Sequence, residues 1–144
     1  MRAILVPVPG GPDALTLSTV AELEVGPRDI RIQVAAAGVN RADVSQRQGY
    51  YPSPAGAPAW PGLEVSGIVT EVGSATTLFA VGDRVCALLA GGGYAAEAVV
   101  HEELALPVPE AIDLVDAAAL PEALATVWSN VFLAAGRKNS TTPT

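Results

Sequence analysis

The chain has 144 residues, of which half are hydrophobic and 16% are charged, as is typical of one globular domain with its own core. Eight Lys and Arg residues against fifteen Asp and Glu give a net charge of −7. No basic cluster lies on a predicted face, which argues against nucleic-acid binding. With Cys86 as the single cysteine and His101 as the single histidine, a disulfide within the chain is excluded and a zinc site is disfavoured.

Apolar runs in the sequence are short. The segment AILVPVPGG after Arg2 superficially resembles a signal peptide, but Pro7 and Pro9 break it. Other apolar runs, such as VCALLA at 85–90 and VFLAA at 131–135, fall short of the roughly 18 residues that span a bilayer. The sequence therefore predicts no transmembrane helix, no membrane partner and a cytoplasmic protein.

The first half of the chain alternates predicted strands with one helix. Apolar and alternating patterns predict strands at 3–6, 14–24 and 30–35. Asn40 is a suitable N-cap and Gly49 a C-terminal stop for a short helix between them. The segment YYPSPAGAPAWPG at 50–62 is rich in proline and lacks apolar periodicity, so it is predicted to be an irregular surface loop, of a length that is often functional.

The second half continues with β-structure and ends in helices. Runs with β-branched residues and glycine turns predict strands within 63–73, 81–90 and 94–100, which favours a small barrel or sandwich. Asp113 can cap a short helix at 114–119. A longer helix is predicted over 121–136, since it opens with Pro and Glu and closes with Gly.

The run GGGYAA at 91–96 fits the glycine pattern of a dinucleotide-binding loop. The segment after it is too short for the crossover helix that such a loop requires, so a glycine hairpin between antiparallel strands is the favoured interpretation. Cys86 lies in an apolar run and is predicted to be a buried structural residue. His101, beside two glutamates at a strand end, is interpreted as a solvated surface residue.

Four aromatic residues are candidates for lining a ligand cavity. Helical spacing with its apolar neighbours favours a core role for Trp128, while Trp60 in the proline loop remains open. Tyr50 and Tyr51 follow the predicted helix directly, so at least one ring is expected outside the core. A phenol suits a flat, carbonyl-bearing ligand, although packing of the loop explains the pair equally well.

Six segments, read in order, resemble the N-terminal half of medium-chain dehydrogenases and reductases: AAAGVNRADVSQRQGYY, PGLEVSG, EVG, VGDRV, GGGYAAE and LPEALATVW. The match covers residues 1 to about 135. The combination of NRAD, QRQG, LLAGGGYAAE and LPEALATVW is most similar to zinc-free, zeta-crystallin-like quinone oxidoreductases. Zinc-dependent members carry a cysteine where this chain has Asn40 and a histidine where it has Leu63.

The resemblance implies a mainly β fold with a few helices, the GroES-like partly open β-barrel, without the Rossmann domain. It also implies hydride transfer from NADPH to a quinone or enone. By family position, Tyr51 would donate a hydrogen bond to the acceptor oxygen as the catalytic residue, and Asn40 and Thr126 would bind the cofactor. Tyr50, Trp60 and Leu63 would shape the substrate pocket. Asp43 and Glu64 also match family positions and are interpreted as structural, at a helix start and a strand turn.

The predicted organisation is a GroES-like substrate domain at 1–120, a helix at 121–135 that would lead into a missing Rossmann domain, and a disordered polar tail at 136–144. The chain alone is then expected to be inactive, and its uncovered surface favours self-association into a homo-oligomer. Two alternatives stay open. The chain is a non-catalytic GroES-like binding module, or the acceptor is an enoyl thioester or an aldehyde.

Overall fold

The computed structural model describes residues 1–135, which are mostly strands with a few short helices. The strands of this part of the chain are β1 Arg2–Leu5, β2 Thr16–Thr19, β3 Asp29–Ala37, β4 Glu64–Val72, β5 Arg84–Leu88, β6 Glu97–His101 and β7 Ala105–Pro107. Its α-helices are α1 Arg41–Arg47, α2 Leu114–Ala117 and α3 Pro121–Trp128, and the π-helical segment Ser129–Ala134 follows α3. Single 3₁₀ turns lie at Pro12–Ala14 and Glu102–Leu104. The mainly β fold class is confirmed.

Five strands form one curved antiparallel sheet in the order β6-β3-β4-β5-β7. The pairing of β3 with β4 shifts register between Arg31 and Ile32 and again between Val34 and Ala36. Such irregularities bend a strand and increase its twist, so the sheet curls into a partly open barrel. β1 and β2 form a separate antiparallel pair, which a bridge from Ala3 to Ala95 joins to the main sheet. Every strand pair within residues 1–135 is antiparallel.

The glycine segment 91–93 does not form the predicted hairpin. β5 and β6, the strands on either side of it, are separated by β4 and β3 in the sheet, because β6 pairs with β3 instead. The glycines lie along the end of the proline loop: Gly92 N donates to Trp60 O at 2.9 Å and Gly93 N to Gly62 O at 2.9 Å. A Cβ on Gly92 would lie 2.7 Å from Pro58 Cγ, so glycine permits this close approach of the segment to the Pro58 ring.

The core of the barrel lies between the curved strands. Its buried residues are Ile30, Ile32, Val65, Val69, Val85, Ala87, Leu89, Ala98, Val100 and Ala105. Cys86 points to a smaller cluster with Val108 and Ala117, and burial raises the pKa of its thiol, so its predicted structural role is confirmed. The Ser66 hydroxyl donates to the carbonyl of Leu114 and so joins α2 to β4.

The helical end of the described chain projects an apolar surface. Trp128 is 59% exposed and stacks on Phe132 with ring centroids 4.6 Å apart. The core role predicted for Trp128 is therefore wrong, because residues 1–135 supply nothing to cover this face. The predicted tail at 136–144 lies outside the described residues.

The helical region from Leu114 to Ala134 is long and apolar enough, by length and composition alone, to cross a membrane. The region contains no uninterrupted apolar run of that length, and so it was not predicted as a membrane span. One such helix is weak evidence for a membrane location, since an apolar helix that packs inside a protein meets the same two criteria. The turn at 118–120 also divides the region between α2 and α3.

Candidate functional site

Asn40 is the N-cap residue of helix α1, and the Asp43 side chain bonds back to it. The backbone N of Asn40 donates to Asp43 Oδ2 at 2.8 Å, and Asp43 N donates to the backbone O of Asn40 at 3.1 Å. This reciprocal pattern satisfies backbone groups that a helix start leaves without partners. Gly49, with a φ of +86°, ends the helical region as predicted. The interpretation of Asp43 as the fixing point of a helix start is confirmed.

Asp43 also joins α1 to two distant segments. Its Oδ1 accepts from Gly62 N at 3.0 Å and its Oδ2 accepts from the Tyr94 hydroxyl at 3.0 Å. Asp43 is 3% exposed, and a buried carboxylate is tolerated where donors surround it. Burial, followed by the Asp43 carboxylate, raises the pKa of the Tyr94 phenol. The start of α1, the end of the proline loop and the glycine segment are thereby held as one unit.

Glu64, the first residue of β4, is a second buried carboxylate beside the start of α1. Its Oε1 accepts from Asn40 Nδ2 at 2.8 Å, and its Oε2 accepts from the backbone N of Glu122 at 2.9 Å, in the first turn of α3. The N-terminus of a helix favours negative charge. A Cβ on Gly38 would overlap the Glu64 carboxylate, so a glycine at 38 makes room for it.

Two of the predicted cofactor residues lie on the elements that Glu64 joins. Asn40 precedes α1, and Thr126 lies on α3, where its hydroxyl donates to Glu122 Oε1 at 3.2 Å. The second hydrogen of Asn40 Nδ2 has no acceptor within residues 1–135. This spare donor fits an oxygen acceptor, such as a carboxamide or a ribose hydroxyl, and so the residues present are compatible with the nicotinamide end of a cofactor.

The predicted acceptor-side tyrosines follow α1. Tyr50 is 83% exposed and Tyr51 is 39% exposed, so neither ring is buried in the core. The loop that carries them is held to α1, because Gln46 Nε2 donates to Ser53 Oγ at 2.8 Å and to Ala59 O at 3.3 Å. The structure therefore places Asn40 and Tyr51 at opposite ends of one helix, which is about 10 Å long.

Trp60 and Leu63 differ from the tyrosines in their surroundings. Trp60 is 8% exposed, its Nε1 donates to Gly92 O at 2.8 Å, and it borders a surface cavity of about 430 Å³ with Asp29 and Val99. Leu63 is half-buried and its carbonyl accepts from Leu89 N at 2.7 Å. Their assignment to the substrate pocket remains a prediction, as do the roles of Tyr50, Tyr51, Asn40 and Thr126.

Two features of this region were not predicted. Tyr94 belongs to the glycine motif and no role was predicted for it, although a phenol directly after three glycines is a signal for a specific contact. The bond from Glu64 to the first turn of α3 joins residues 58 positions apart, and nothing in the local sequence indicates it. The interpretation of Glu64 as structural is compatible with these contacts, but its two partners lie on the predicted cofactor elements.

Comparisons with known proteins agree with this fold. Residues 26–110 match the family model described as the alcohol dehydrogenase GroES-like domain. A quinone oxidoreductase of Pseudomonas aeruginosa is 42% identical over 113 residues, which are 77% of this chain and 34% of that protein. A quinone oxidoreductase of Rattus norvegicus is 38% identical over 122 residues, 83% of this chain and 37% of that protein. The matched part of the chain thus spans only about a third of the length of these relatives.

Solved structures show the same relationship. The human synaptic vesicle membrane protein VAT-1 homolog-like protein superposes with a TM-score of 0.86 at 32% identity, over 94% of this chain and 44% of that one. The Escherichia coli quinone oxidoreductase complexed with NADPH superposes with a TM-score of 0.79 at 30% identity, over 92% of this chain and 40% of that one. The chain belongs to the alcohol dehydrogenase GroES-like domain family of the medium-chain dehydrogenases and reductases. Its relatives within that superfamily include quinone oxidoreductases.

Proposed function

We propose that this chain is the acceptor-side part of a cytoplasmic, zinc-independent reductase that transfers a hydride from NADPH to a quinone or a related enone. The observation that carries the proposal is the Asn40 amide, held by Glu64 at the start of α1 with one donor hydrogen to spare. Asn40 and Leu63 take the places of the two zinc ligands of the metal-dependent relatives. This part of the site is therefore built for hydrogen bonding.

Residues of this chain would hold the nicotinamide end of the cofactor. NADPH, when bound, supplies the hydride. The Asn40 amide would donate a hydrogen bond to an oxygen of the nicotinamide or its ribose, and Thr126 would approach the same end from α3. Both elements are fixed to each other through Glu64, so the two contacts would be made without reordering of the chain.

Tyr51 would act on the acceptor as the catalytic residue. Negative charge develops on a quinone or enone oxygen as hydride is added, and a hydroxyl donor that bonds this oxygen more strongly in the transition state lowers the barrier. The Tyr51 side chain is partly exposed on a loop that Gln46 holds to α1. Tyr50, Trp60 and Leu63 would form the wall of the acceptor pocket.

The other wall of the cleft would come from the remainder of a longer protein. The exposed apolar face of α3 and the π-helical segment carries Leu124, Val127, Trp128, Val131 and Phe132, each more than half exposed. Apolar patches of this kind mark surfaces that another domain or subunit covers. The relatives are more than twice as long as this chain, which supports a cofactor-binding domain as the cover. Without one, this face would favour self-association.

The test compares the chain alone with the chain joined, after Ala135, to the cofactor-binding domain of a related quinone oxidoreductase. NADPH binding is measured by calorimetry, and quinone reduction by NADPH oxidation. The joined protein is expected to bind NADPH tightly and to reduce quinones, whereas the chain alone is expected to bind NADPH only weakly and to reduce no quinone. Reductase activity of the chain alone, or inactivity of a folded joined protein, would contradict the proposal.

The role of Tyr51 is tested in the same joined protein with Tyr51→Phe. Loss of one transition-state hydrogen bond is expected to cost about 2 kcal/mol in kcat/KM. Tyr50→Phe is the comparison, because Tyr50 is assigned to the pocket wall and not to the acceptor oxygen. An unchanged rate in Tyr51→Phe, or an equal loss in both variants, would remove Tyr51 from the mechanism.

The acceptor is identified with a panel of substrates in the joined protein. Quinones and enones are expected to be reduced in preference to enoyl thioesters and simple aldehydes. Preference for a thioester or an aldehyde would keep the hydride-transfer site and replace the acceptor. A folded protein that oxidises NADPH with none of these substrates would favour a non-catalytic binding module.

A further inference from the structure

We infer that Glu64 is a positioning residue for cofactor binding. Its buried carboxylate fixes the orientation of the Asn40 side-chain amide and connects Asn40 to the first turn of α3. The inference rests on the proposed function for the ligand of Asn40. The orientation of the amide itself does not depend on it. Glu64 thus has a function beyond the strand turn at which it lies.

The orientation follows from hydrogen-bond polarity. A carboxylate accepts on both oxygens and donates on neither. Glu64 Oε1 therefore requires a donor from Asn40, which must be Nδ2 and not Oδ1, at the observed 2.8 Å. Since the Asn40 amide is planar, fixing Nδ2 against Glu64 also fixes the direction of its second hydrogen. That hydrogen is the one left for a ligand.

Glu64 can fix the orientation of the Asn40 amide because its own side chain is held in place. It is 3% exposed, its other oxygen accepts from Glu122 N at 2.9 Å, and the backbone at Gly38 packs against its carboxylate. Within residues 1–135 it has no Lys or Arg partner in an ion pair. Its contacts are therefore an amide and a helix terminus, both of which belong to the predicted cofactor site.

Glu64→Gln changes the hydrogen-bonding groups of the side chain at position 64 but keeps its size. Glutamine has the same size but one acceptor oxygen and one NH2 group. If its oxygen keeps the Glu122 N–H, its NH2 faces Asn40 Nδ2, and two donors oppose each other. Rotating the Asn40 amide by half a turn, so that Oδ1 accepts from the glutamine, relieves this conflict. The spare donor of Asn40 is then replaced by an acceptor.

The first readout uses the 144-residue chain itself, labelled with ¹⁵N. The side-chain amide signal of Asn40 is assigned by its loss in Asn40→Asp. In Glu64→Gln this signal is expected to move, and its exchange with solvent is expected to be about tenfold faster, because the bond to a buried carboxylate is gone. An unmoved signal with unchanged exchange would overturn the inference.

Glu102→Gln is the matched control. Glu102 is also buried, but its partners are Arg28 and the backbone N–H groups of Thr77 and Leu78. This variant is expected to leave the Asn40 amide signal and its exchange unchanged. If both variants change them equally, the effect is a general loss of stability and the inference is wrong.

The second readout uses the protein joined to a cofactor-binding domain. Glu64→Gln is expected to raise the KM for NADPH about tenfold, with a smaller change in kcat. In Glu64→Gln/Asn40→Asp the new carboxylate accepts from the glutamine NH2, so stability is expected to recover relative to Glu64→Gln. NADPH binding is expected to stay weak, because no donor is restored. Recovery of both properties would make Glu64 merely structural.

The two hypotheses fail in different ways. If the parent joined protein does not bind NADPH, the proposed function fails, while the Asn40 amide signal still decides the orientation. If the amide signal responds to Glu64→Gln but the KM for NADPH does not, Glu64 orients Asn40 without serving the cofactor, and the positioning role is overturned. If Glu64→Gln does not fold, the double variant carries the test, since it restores a complementary pair.

Discussion

Two buried glutamates in this protein are held by different kinds of partner. Glu102 accepts from both Nε and Nη2 of Arg28 and from the backbone N–H groups of Thr77 and Leu78, at 2.7 to 2.9 Å. Glu64 accepts from a side-chain amide and from the first turn of a helix. We refer to these regions as the Glu102 corner and the Glu64 corner.

The difference indicates what each corner is for. The Glu102 corner joins the start of β3 to a turn with strong, charge-assisted bonds, and the two oxygens of its buried carboxylate accept four hydrogen bonds. The Glu64 corner, with Asp43 and Tyr94 beside it, replaces the ion pair with neutral donors. One of these donors, Asn40, keeps a free hydrogen within the described residues. The neutral hydrogen bonds of the Glu64 corner can therefore stabilise the fold and still leave a donor for a ligand.

The largest effect on stability is expected from Asp43→Asn. Asparagine has one acceptor oxygen in place of two, so one of the three donors that now reach Asp43, from Asn40, Gly62 and Tyr94, loses its acceptor in the interior. The expected loss is about 2 to 3 kcal/mol in the free energy of unfolding, measured by urea denaturation. Asp113→Asn is the control, because Asp113 caps α2 at an exposed position and asparagine caps nearly as well. Equal losses in the two variants would contradict the account.

Glu102→Gln is expected to lower the Tm by several degrees at neutral pH. The N–H groups of Leu78 and Thr77, together with Arg28, lower the pKa of Glu102 from its usual 4.5 to about 2. The carboxylate therefore contributes stability above pH 4.5 that is lost as the pH falls through 2. The parent and the variant should converge in Tm in that acid range. A gap that stays constant from pH 7 to pH 2 would show that ionisation of Glu102 is not involved.

Tyr94→Phe tests how the stability of the Glu64 corner depends on alkaline pH. The variant loses one hydrogen bond to Asp43, with an expected cost of about 1 kcal/mol. Because burial and Asp43 raise the pKa of the phenol above its usual value of 10.0, the contribution of its hydrogen bond is present below pH 10 and is lost as the pH rises through the folded-state pKa. The stability difference from the parent should therefore shrink in strong alkali and persist in acid. The reverse pattern would refute the assignment.

The smallest effect on folding is expected from Trp128→Ser on the exposed helix face. Trp128 contacts Phe132 but is 59% exposed, so the free energy of unfolding should change by less than about 1 kcal/mol. Self-association should decrease, as measured by sedimentation. Glu110→Ser, at an exposed position away from this face, controls for surface polarity. A strongly destabilised Trp128→Ser monomer would mean that the helix packs in the core after all.

Much of the barrel could be predicted from local patterns. Alternation at 30–35 located β3, Asn40 and Gly49 delimited α1, and Asp113 capped α2 as expected. These signals are local, since caps and periodicity act within a few residues. The pairing of β6 could not be predicted in this way. A hairpin with β5 was predicted, whereas β6 pairs with β3, which lies more than sixty residues away in sequence.

The site shows the same limit. The capping role of Asp43 lies within one helical turn and was predicted, whereas its bonds to Gly62 and Tyr94 come from segments that only the folded barrel brings together. Trp128 shows the converse error, because its helical spacing resembles that of a core residue. The pattern predicts an apolar face but does not say whether the same stretch of chain covers it.

Asn40 and α3 are proposed to form the contact surface for a nicotinamide, and the roles of the other site residues depend on this surface. The decisive measurement is a titration of the ¹⁵N-labelled 144-residue chain with reduced nicotinamide mononucleotide, which needs no site for the rest of the cofactor. We expect the largest shifts at the Asn40 side-chain amide and at the backbone N–H of Thr126, and we expect them to be lost in Asn40→Ala. Saturating shifts elsewhere on the barrel, or none at Asn40 at millimolar ligand, would contradict the account.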